Sequence, residues 1–215
     1  MKKSFDTLAN RYALLEWIVF GSILQKARQF SLTAIEANRP IKALVLGDGD
    51  GRFSKYALSQ RPLLTIDSLD ASIQMLKKAN VLISSADSIE EHRYRQIHIN
   101  ALQYSYPMSE YDIVICHFFL DCFIERNASD LLLKIEKSLK PGGFFLYSDF
   151  NDSCLLHQLA IWILYRFFRL TTDIEATQLP RLKLPESLAL VSRRTWISGL
   201  VVSESWQKRS VSATR

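Results

Sequence analysis

A doubly wound α/β fold is what the 215-residue sequence predicts, mostly parallel, capped by an N-terminal helix and closed by an antiparallel C-terminal hairpin. Three observations carry that expectation. Short, wholly apolar runs such as Ala43-Leu44-Val45-Leu46 read as strands buried on both faces. Amphipathic stretches separate them, and such alternation implies parallel strands joined by crossover helices. The third observation is glycine. Only seven occur in the chain, yet Gly47, Gly49 and Gly51 fall within five residues directly after the first apolar run, where backbone must turn sharply or approach something closely.

In chain order, Ser4 caps a helix to about Phe30, because Phe5, Leu8, Tyr12, Leu15 and Val19 recur at three- and four-residue steps. Pro40 closes a loop before the first strand. A helix follows the glycines from Arg52 to Ser59, then a strand over Leu63–Ile66. A second helix spans Asp70–Asn80, with Ile73, Leu76 and Ala79 inward. Arg95–Ile99 is a weaker strand and Tyr111–Cys116 a strong one. Asn127–Leu139 is amphipathic through Leu131, Leu132, Ile135 and Leu139, and Lys140-Pro141-Gly142-Gly143 stops it. Phe144–Tyr147 is the fifth strand. Residues 155–170 form a helix apolar almost all round. Leu188–Trp196 and Leu200–Trp206 flank Ile197-Ser198-Gly199 as a closing hairpin. The chain reads as one domain: an N-terminal cap over 1–40, a binding core over 41–150, a helical insertion or lid over 151–185 and the hairpin over 186–215.

Composition excludes several classes. A chain 48% hydrophobic and 11% aromatic has enough apolar surface for a core, which rules out intrinsic disorder. No transmembrane segment is expected, since the longest charge-free run in the lipophilic part, residues 153–165, is shorter than the roughly 20 residues a span takes. Cys116, Cys122 and Cys154 form no CxxC, and together with the missing signal-peptide pattern they place the chain in a reducing cytoplasm. The net charge of +5 arises entirely after Pro180, as a solvated edge hairpin would give. No nucleic acid is expected, because no Lys/Arg run is interleaved with aromatics. His92, His98, His117 and His157 lack ligand spacing, so no metal is expected either.

Gly47-Asp48-Gly49-Asp50-Gly51 lies between the first strand and the first crossover helix, where doubly wound sheets bind ligands. The dinucleotide fingerprint wants its third glycine at position 52, which is Arg. Asp48 and Asp50 also disfavour a pyrophosphate, and an acidic loop suits a positively charged ligand better. About 20 residues on stand Asp67 and Asp70, either of which can accept both hydroxyls of a ribose.

Leu44-Val45-Leu46-Gly47-Asp48-Gly49-Asp50-Gly51 resembles motif I of class I S-adenosylmethionine-dependent methyltransferases. Asp70-Ala71-Ser72-Ile73-Gln74-Met75-Leu76 with Ala79 is similar to the family's signature after strand two. Tyr111-Asp112-Ile113-Val114 resembles its strand four, Leu139-Lys140-Pro141-Gly142-Gly143 the segment before strand five, and Phe5-Asp6 with Ala9 and Tyr12 its N-terminal motif. The resemblance runs in order from about Phe5 to Phe150. It implies a Rossmann-like sheet and S-adenosyl-L-methionine as cofactor. It also implies a cofactor site of Tyr12, Gly47, Asp48, Gly49, Gly51, Asp70, Ala71, Met75, Asn100, Ala101 and His117. Asp70 takes the ribose and Asn100 lies near the adenine, where the family usually has an acid. The acid usual two residues before the first glycine is Val45 here.

The implied reaction is methyl transfer to a small lipophilic or aromatic acceptor, on oxygen in preference to nitrogen or carbon. The loop after strand four would face the methyl, which makes His117 the first candidate base, with Asp121 orienting it or holding the acceptor. Phe118, Asp149, Trp162 and Tyr165 would line the acceptor pocket. The apolar helix 155–170 is buried core, a homodimer contact or a contact with a biosynthetic partner, or else it roofs that pocket. A non-catalytic S-adenosylmethionine-binding partner or sensor and an NAD-dependent enzyme are the rival readings, with a nucleic-acid methyltransferase behind them.

Overall fold

The structure is a computed structural model and describes residues 22–34, 38–159, 161 and 178–210. Within these, α1 is Ile23–Phe30, β1 Ile41–Leu46, α2 Arg52–Gln60, β2 Leu64–Asp70, α3 Ile73–Ser84, β3 Tyr94–His98, β4 Tyr111–His117, α4 Glu125–Ser138, β5 Leu139–Phe150, β6 Leu188–Trp196 and β7 Val201–Lys208. The seven strands form one sheet in the order β3-β2-β1-β4-β5-β7-β6. The first five run parallel, and β7 is antiparallel to both β5 and β6. This is the mixed Rossmann-like sheet that the sequence predicts. Residues 4–21 of the expected N-terminal helix, and most of the 155–170 helix, lie outside the described residues.

Each central strand is apolar on both faces because each face packs on helices. One layer joins Ala43, Val45, Ile66, Ile113, Ile115 and Leu146 to Phe53, Ala57 and Leu58 of α2 and Ile83 of α3. The other joins Leu44, Leu46, Val114, Cys116 and Phe145 to Leu131, Leu132 and Ile135 of α4. Burying a side chain of the Leu/Ile/Val/Phe type stabilises by about 1.5–3 kcal/mol relative to exposure, so these two layers dominate the driving force. The outermost strands carry the polar residues: Arg193 and Arg194 are exposed on β6, where charge discourages pairing with other chains.

Several boundaries differ from expectation. The second strand runs on to Asp70, because Asp67 is neutralised inside the sheet: Arg95 Nε and Nη2 donate to its two oxygens at 2.8 and 2.7 Å, and the Tyr111 hydroxyl donates at 3.0 Å. Helix α3 begins three residues late, at Ile73 after Ser72, whose hydroxyl accepts the Met75 N–H at 3.3 Å. Ile73, expected inward, is exposed, while Leu76 and Ala79 are buried. The Leu139–Gly143 segment ends α4 and at once starts β5, which spans Leu139–Phe150.

Parallel register brings four strand tips side by side. Leu46 lies opposite Leu69 and Cys116, and His117 opposite Ser148. The segments that leave these tips build the site.

Candidate active site

The chain leaves β1 through a turn only glycine accepts readily. Gly47, Gly49 and Gly51 have φ of +66°, +65° and +82°, in the left-handed region. Their surroundings assign each a different task. A Cβ on Gly51 would lie 2.6 Å from the Ala79 Cβ, so this glycine lets α2 and α3 approach. A Cβ on Gly47 would lie 2.2 Å from the Phe119 ring, which covers the turn. Among the described residues nothing lies within 4 Å of a Cβ on Gly49, so none of them fills the space beside it.

Asp70, at the tip of β2, flanks this opening. Its Oδ1 accepts the Ser72 N–H at 2.8 Å and its Oδ2 the Gly49 N–H at 3.3 Å. Burial raises its carboxyl above the ordinary range, against those backbone donors. Asp67 is spent on Arg95 and Tyr111, which leaves Asp70 as the carboxylate beside the loop. Asp48 accepts the Ser54 N–H at 3.4 Å, and burial pushes its carboxyl up to about 7. The opening thus offers a bare glycine backbone, a carboxylate at the neighbouring tip and no phosphate-binding cation from the loop, a donor set that fits an adenosyl group with a cationic centre.

The other expected cofactor contacts are less uniform. Ala71 O lies 3.1 Å from His98 Nε2, and Met75 sits in the first turn of α3. Asn100 is exposed and its Oδ1 already accepts the Leu102 N–H at 2.9 Å, which fixes the loop after β3, while Ala101 is buried beneath it. Val45 is buried in the α2 layer. Tyr12, Trp162 and Tyr165 lie outside the described residues.

The end of β4 and the turn after it place the two proposed catalytic groups apart. His117 follows Ile113 and Ile115 onto the α2 face. Its Nε2 lies 3.1 Å from Ser31 Oγ, its ring meets Phe53 edge-on at 4.7 Å, and its Nδ1 is buried without a partner. Desolvation, aided by the Arg28 charge, holds its pKa well below the usual 6.5. Neither ring nitrogen therefore engages Asp121, and the expected orienting contact is not formed. Phe118, at φ +52°, packs on Leu24, Ala27 and Val201 and against Phe150 at 5.3 Å.

Asp121 sits in the turn Leu120–Cys122 after β4, and its charge bears on Asp149. Both are buried, at 8% and 1% exposure, and burial first, then nearby carboxylate charge, raises Tyr147, Cys116 and Cys122. Desolvation pushes Asp121 to about 6. Desolvation first, and then the Asp121 charge, raise Asp149 well above the ordinary carboxylate range. Asp149 Oδ1 accepts the Phe150 N–H at 2.9 Å, and hydrogen bonding from Tyr147 and the Asp121 backbone opposes the rise. Sequence reasoning named both acids and not the influence of Asp121 on Asp149. It missed Tyr147 and the cover of Phe119 over Gly47. The period-two alternation Phe145, Tyr147, Asp149 was the available signal for the former.

Comparison with known proteins agrees with this geometry. Residues 44–145 match a family model described as a methyltransferase domain. Over 108 residues the chain is 28% identical to malonyl-[acyl-carrier protein] O-methyltransferase 2 of Ilyobacter polytropus, covering 50% of this chain and 39% of that one. The chain thus spans about two fifths of that relative. Among solved structures it resembles an O-methyltransferase family protein from Burkholderia thailandensis, with a TM-score of 0.68 and 19% identity over 96% of this chain and 60% of that one. It also resembles the N-methyltransferase NodS from Bradyrhizobium japonicum in complex with S-adenosyl-L-homocysteine, with a TM-score of 0.60 and 14% identity over 86% and 85%. At such identities the structural likeness shows the fold.

Proposed function

We propose that this chain, a class I S-adenosylmethionine-dependent methyltransferase through its 44–145 core, methylates a small lipophilic or aromatic acceptor on oxygen. Bound S-adenosylmethionine supplies a methyl carbon already activated by a sulfonium. The observation that carries the reading is the opening at Gly49, with Asp70 braced beside it. In this reading Gly47, Gly49 and Gly51 shape the backbone, Asp70 accepts the ribose hydroxyls, and the loop after β3 with Asn100 and Ala101 borders the adenine.

The protein need mainly hold nucleophile and methyl in line, since positioning can supply several kcal/mol of the barrier, on the order of 7–11. Aromatic side chains near the β4 and β5 tips support an apolar or aromatic acceptor: Phe119 and Phe123 pack at 5.1 Å, with Tyr147 close to Asp149. The oxygen preference rests on the buried carboxylates, which suit a nucleophile that must lose a proton. The O-methyltransferase name of the Ilyobacter relative supports the same atom. His117, neutral and tied to Ser31, serves as a wall between β4 and α2 and not as the base.

The test is mass spectrometry after incubation with methyl-labelled cofactor and a panel of phenols, aliphatic alcohols, carboxylic acids and amines. Label on an oxygen of an apolar acceptor is expected. Tight cofactor binding with no labelled product from any acceptor would instead identify a binding module.

A further inference from the structure

We propose that the Phe119 ring, set against Gly47, recognises the positive charge on the cofactor's sulfur, so that the chain holds S-adenosylmethionine more tightly than the neutral S-adenosylhomocysteine left after transfer. The inference rests on the methyl-transfer reading above and adds a residue to its site.

Strand order carries the first part. Neighbouring strands run β3-β2-β1-β4 across the sheet. In the reading above the adenine borders the loop after β3, and the ribose meets Asp70 at the tip of β2. The next tip in that direction is that of β1, one strand spacing or about 4.8 Å further on, and the chain leaves it through Gly47. A single carbon joins the sulfur to the ribose ring, so the charge falls at this tip. Among the described residues, the three atoms nearest a Cβ on Gly47 all belong to one side of the Phe119 ring: Cδ2 at 2.2 Å, Cε2 at 2.7 Å and Cγ at 3.0 Å.

The turn after β4 fixes the ring in that place. Phe118 has a φ of +52°, a left-handed conformation that a bulky residue rarely adopts. Its N–H donates to Ser148 O at 2.7 Å, and its own ring is anchored among Leu24, Ala27 and Val201. Phe119 O then accepts the Cys122 N–H at 3.2 Å, and its ring meets Phe123 edge-on at 5.1 Å. Strained backbone held by packing on both sides is characteristic of ligand clamps.

The acids of the glycine loop are engaged elsewhere. Asp50 pairs with Arg52 at 2.9 Å, and Asp48 accepts the Ser54 N–H at 3.4 Å, so both turn to α2. Asp70 accepts the Ser72 and Gly49 N–H groups. An aromatic ring attracts a cation through its π-electrons and gives a neutral thioether no such attraction. Once the sulfur loses its charge the attraction lapses, which favours exchange of the spent cofactor for a fresh one.

Two measurements on the full chain test the role, and neither needs an acceptor. The first is titration calorimetry with S-adenosylmethionine and S-adenosylhomocysteine. Phe119→Leu keeps an apolar cover without π-electrons, and should weaken S-adenosylmethionine by about three- to thirtyfold while S-adenosylhomocysteine stays within about twofold. Phe119→Tyr should retain the wild-type preference. Equal losses for both ligands would reduce the ring to packing, and tighter binding of both would make it a plug; either result overturns the role. Should Phe119→Leu not fold, Phe119→Met carries the same comparison. The second is a double-mutant cycle read by urea midpoints. Gly47→Ala should destabilise less in a Phe119→Ala background than in wild type, because the ring it collides with is gone, and additive effects would overturn the placement of the ring. If the wild type binds neither ligand, the methyl-transfer reading itself fails, whereas equal losses in Phe119→Leu leave that reading standing and remove only the ring's part in it.

Discussion

Asp70 Oδ2 accepts the Gly49 N–H at 3.3 Å, so the tip of the second strand braces the turn that leaves the first. One carboxylate thereby shapes the loop and faces the ligand. Asp70→Ala should weaken S-adenosylhomocysteine by about 1–3 kcal/mol, through the loss of hydrogen bonds to a charged acceptor. Asp70→Asn should lose less, since one oxygen remains. Titration calorimetry measures both, and unchanged affinity in Asp70→Ala would place the ribose elsewhere.

The three loop glycines separate by readout. Gly51→Ala drives a methyl to 2.6 Å from the Ala79 Cβ at a φ of +82°, and should cost about 1–3 kcal/mol of stability by forcing α2 from α3. Gly49→Ala meets no atom of the described residues within 4 Å and should cost only the backbone strain, about 1–2 kcal/mol, yet weaken the cofactor. Urea midpoints and calorimetry on the same two variants distinguish packing from binding. A Gly49→Ala protein with unaltered affinity would contradict the placement of the ligand.

Stability should fall as pH rises through the acid range. The folded protein holds the Asp48 proton up to about 7, whereas the unfolded chain releases it near the ordinary 3.8. Between those values the native state binds more protons, so the contribution is full below about 4 and is lost by about 7. Asp48→Asn should flatten this part of the profile. Urea midpoints between pH 4.5 and 7.5, roughly spanning that window, check it, and parallel profiles for variant and wild type would exclude the shift.

His117 acts with the opposite sign. Its folded pKa lies well below 6.5, so its contribution is present above 6.5 and is lost as pH drops, when the unfolded chain takes up a proton the native ring refuses. His117→Phe keeps a ring against Phe53 and should remove that acid-side loss. Turnover should stay within a few fold of wild type. A collapse of kcat with cofactor affinity intact would return His117 to the chemistry.

The sheet was legible because β1, β4 and the centre of β5 are apolar on both faces, a pattern that survives without knowledge of neighbours. The far half of β2 was not, because Asp67 and Ser68 read as a loop until Arg95 and Tyr111 are brought to them from other strands. The cofactor loop was visible as a local cluster of glycines. The effect of Asp121 on Asp149 was not, since 28 positions separate them (121 and 149) and β4 and β5 come together only in the sheet. His117 and Asp121 look adjacent in sequence, but His117 ends β4 against Phe53 of α2 while Asp121 lies in the turn Leu120–Cys122 beyond it.

Strand β7 enters between β5 and β6, so the N–H and C=O row along one side of β5 has no partner until residues 201–208 have been synthesised. A nascent chain on the ribosome carries that row bare, flanked by Phe144, Phe145 and Phe150. Such an edge is a template for pairing with other nascent chains. Slower translation or a lower growth temperature should therefore raise the recovered yield without altering the stability of the finished protein.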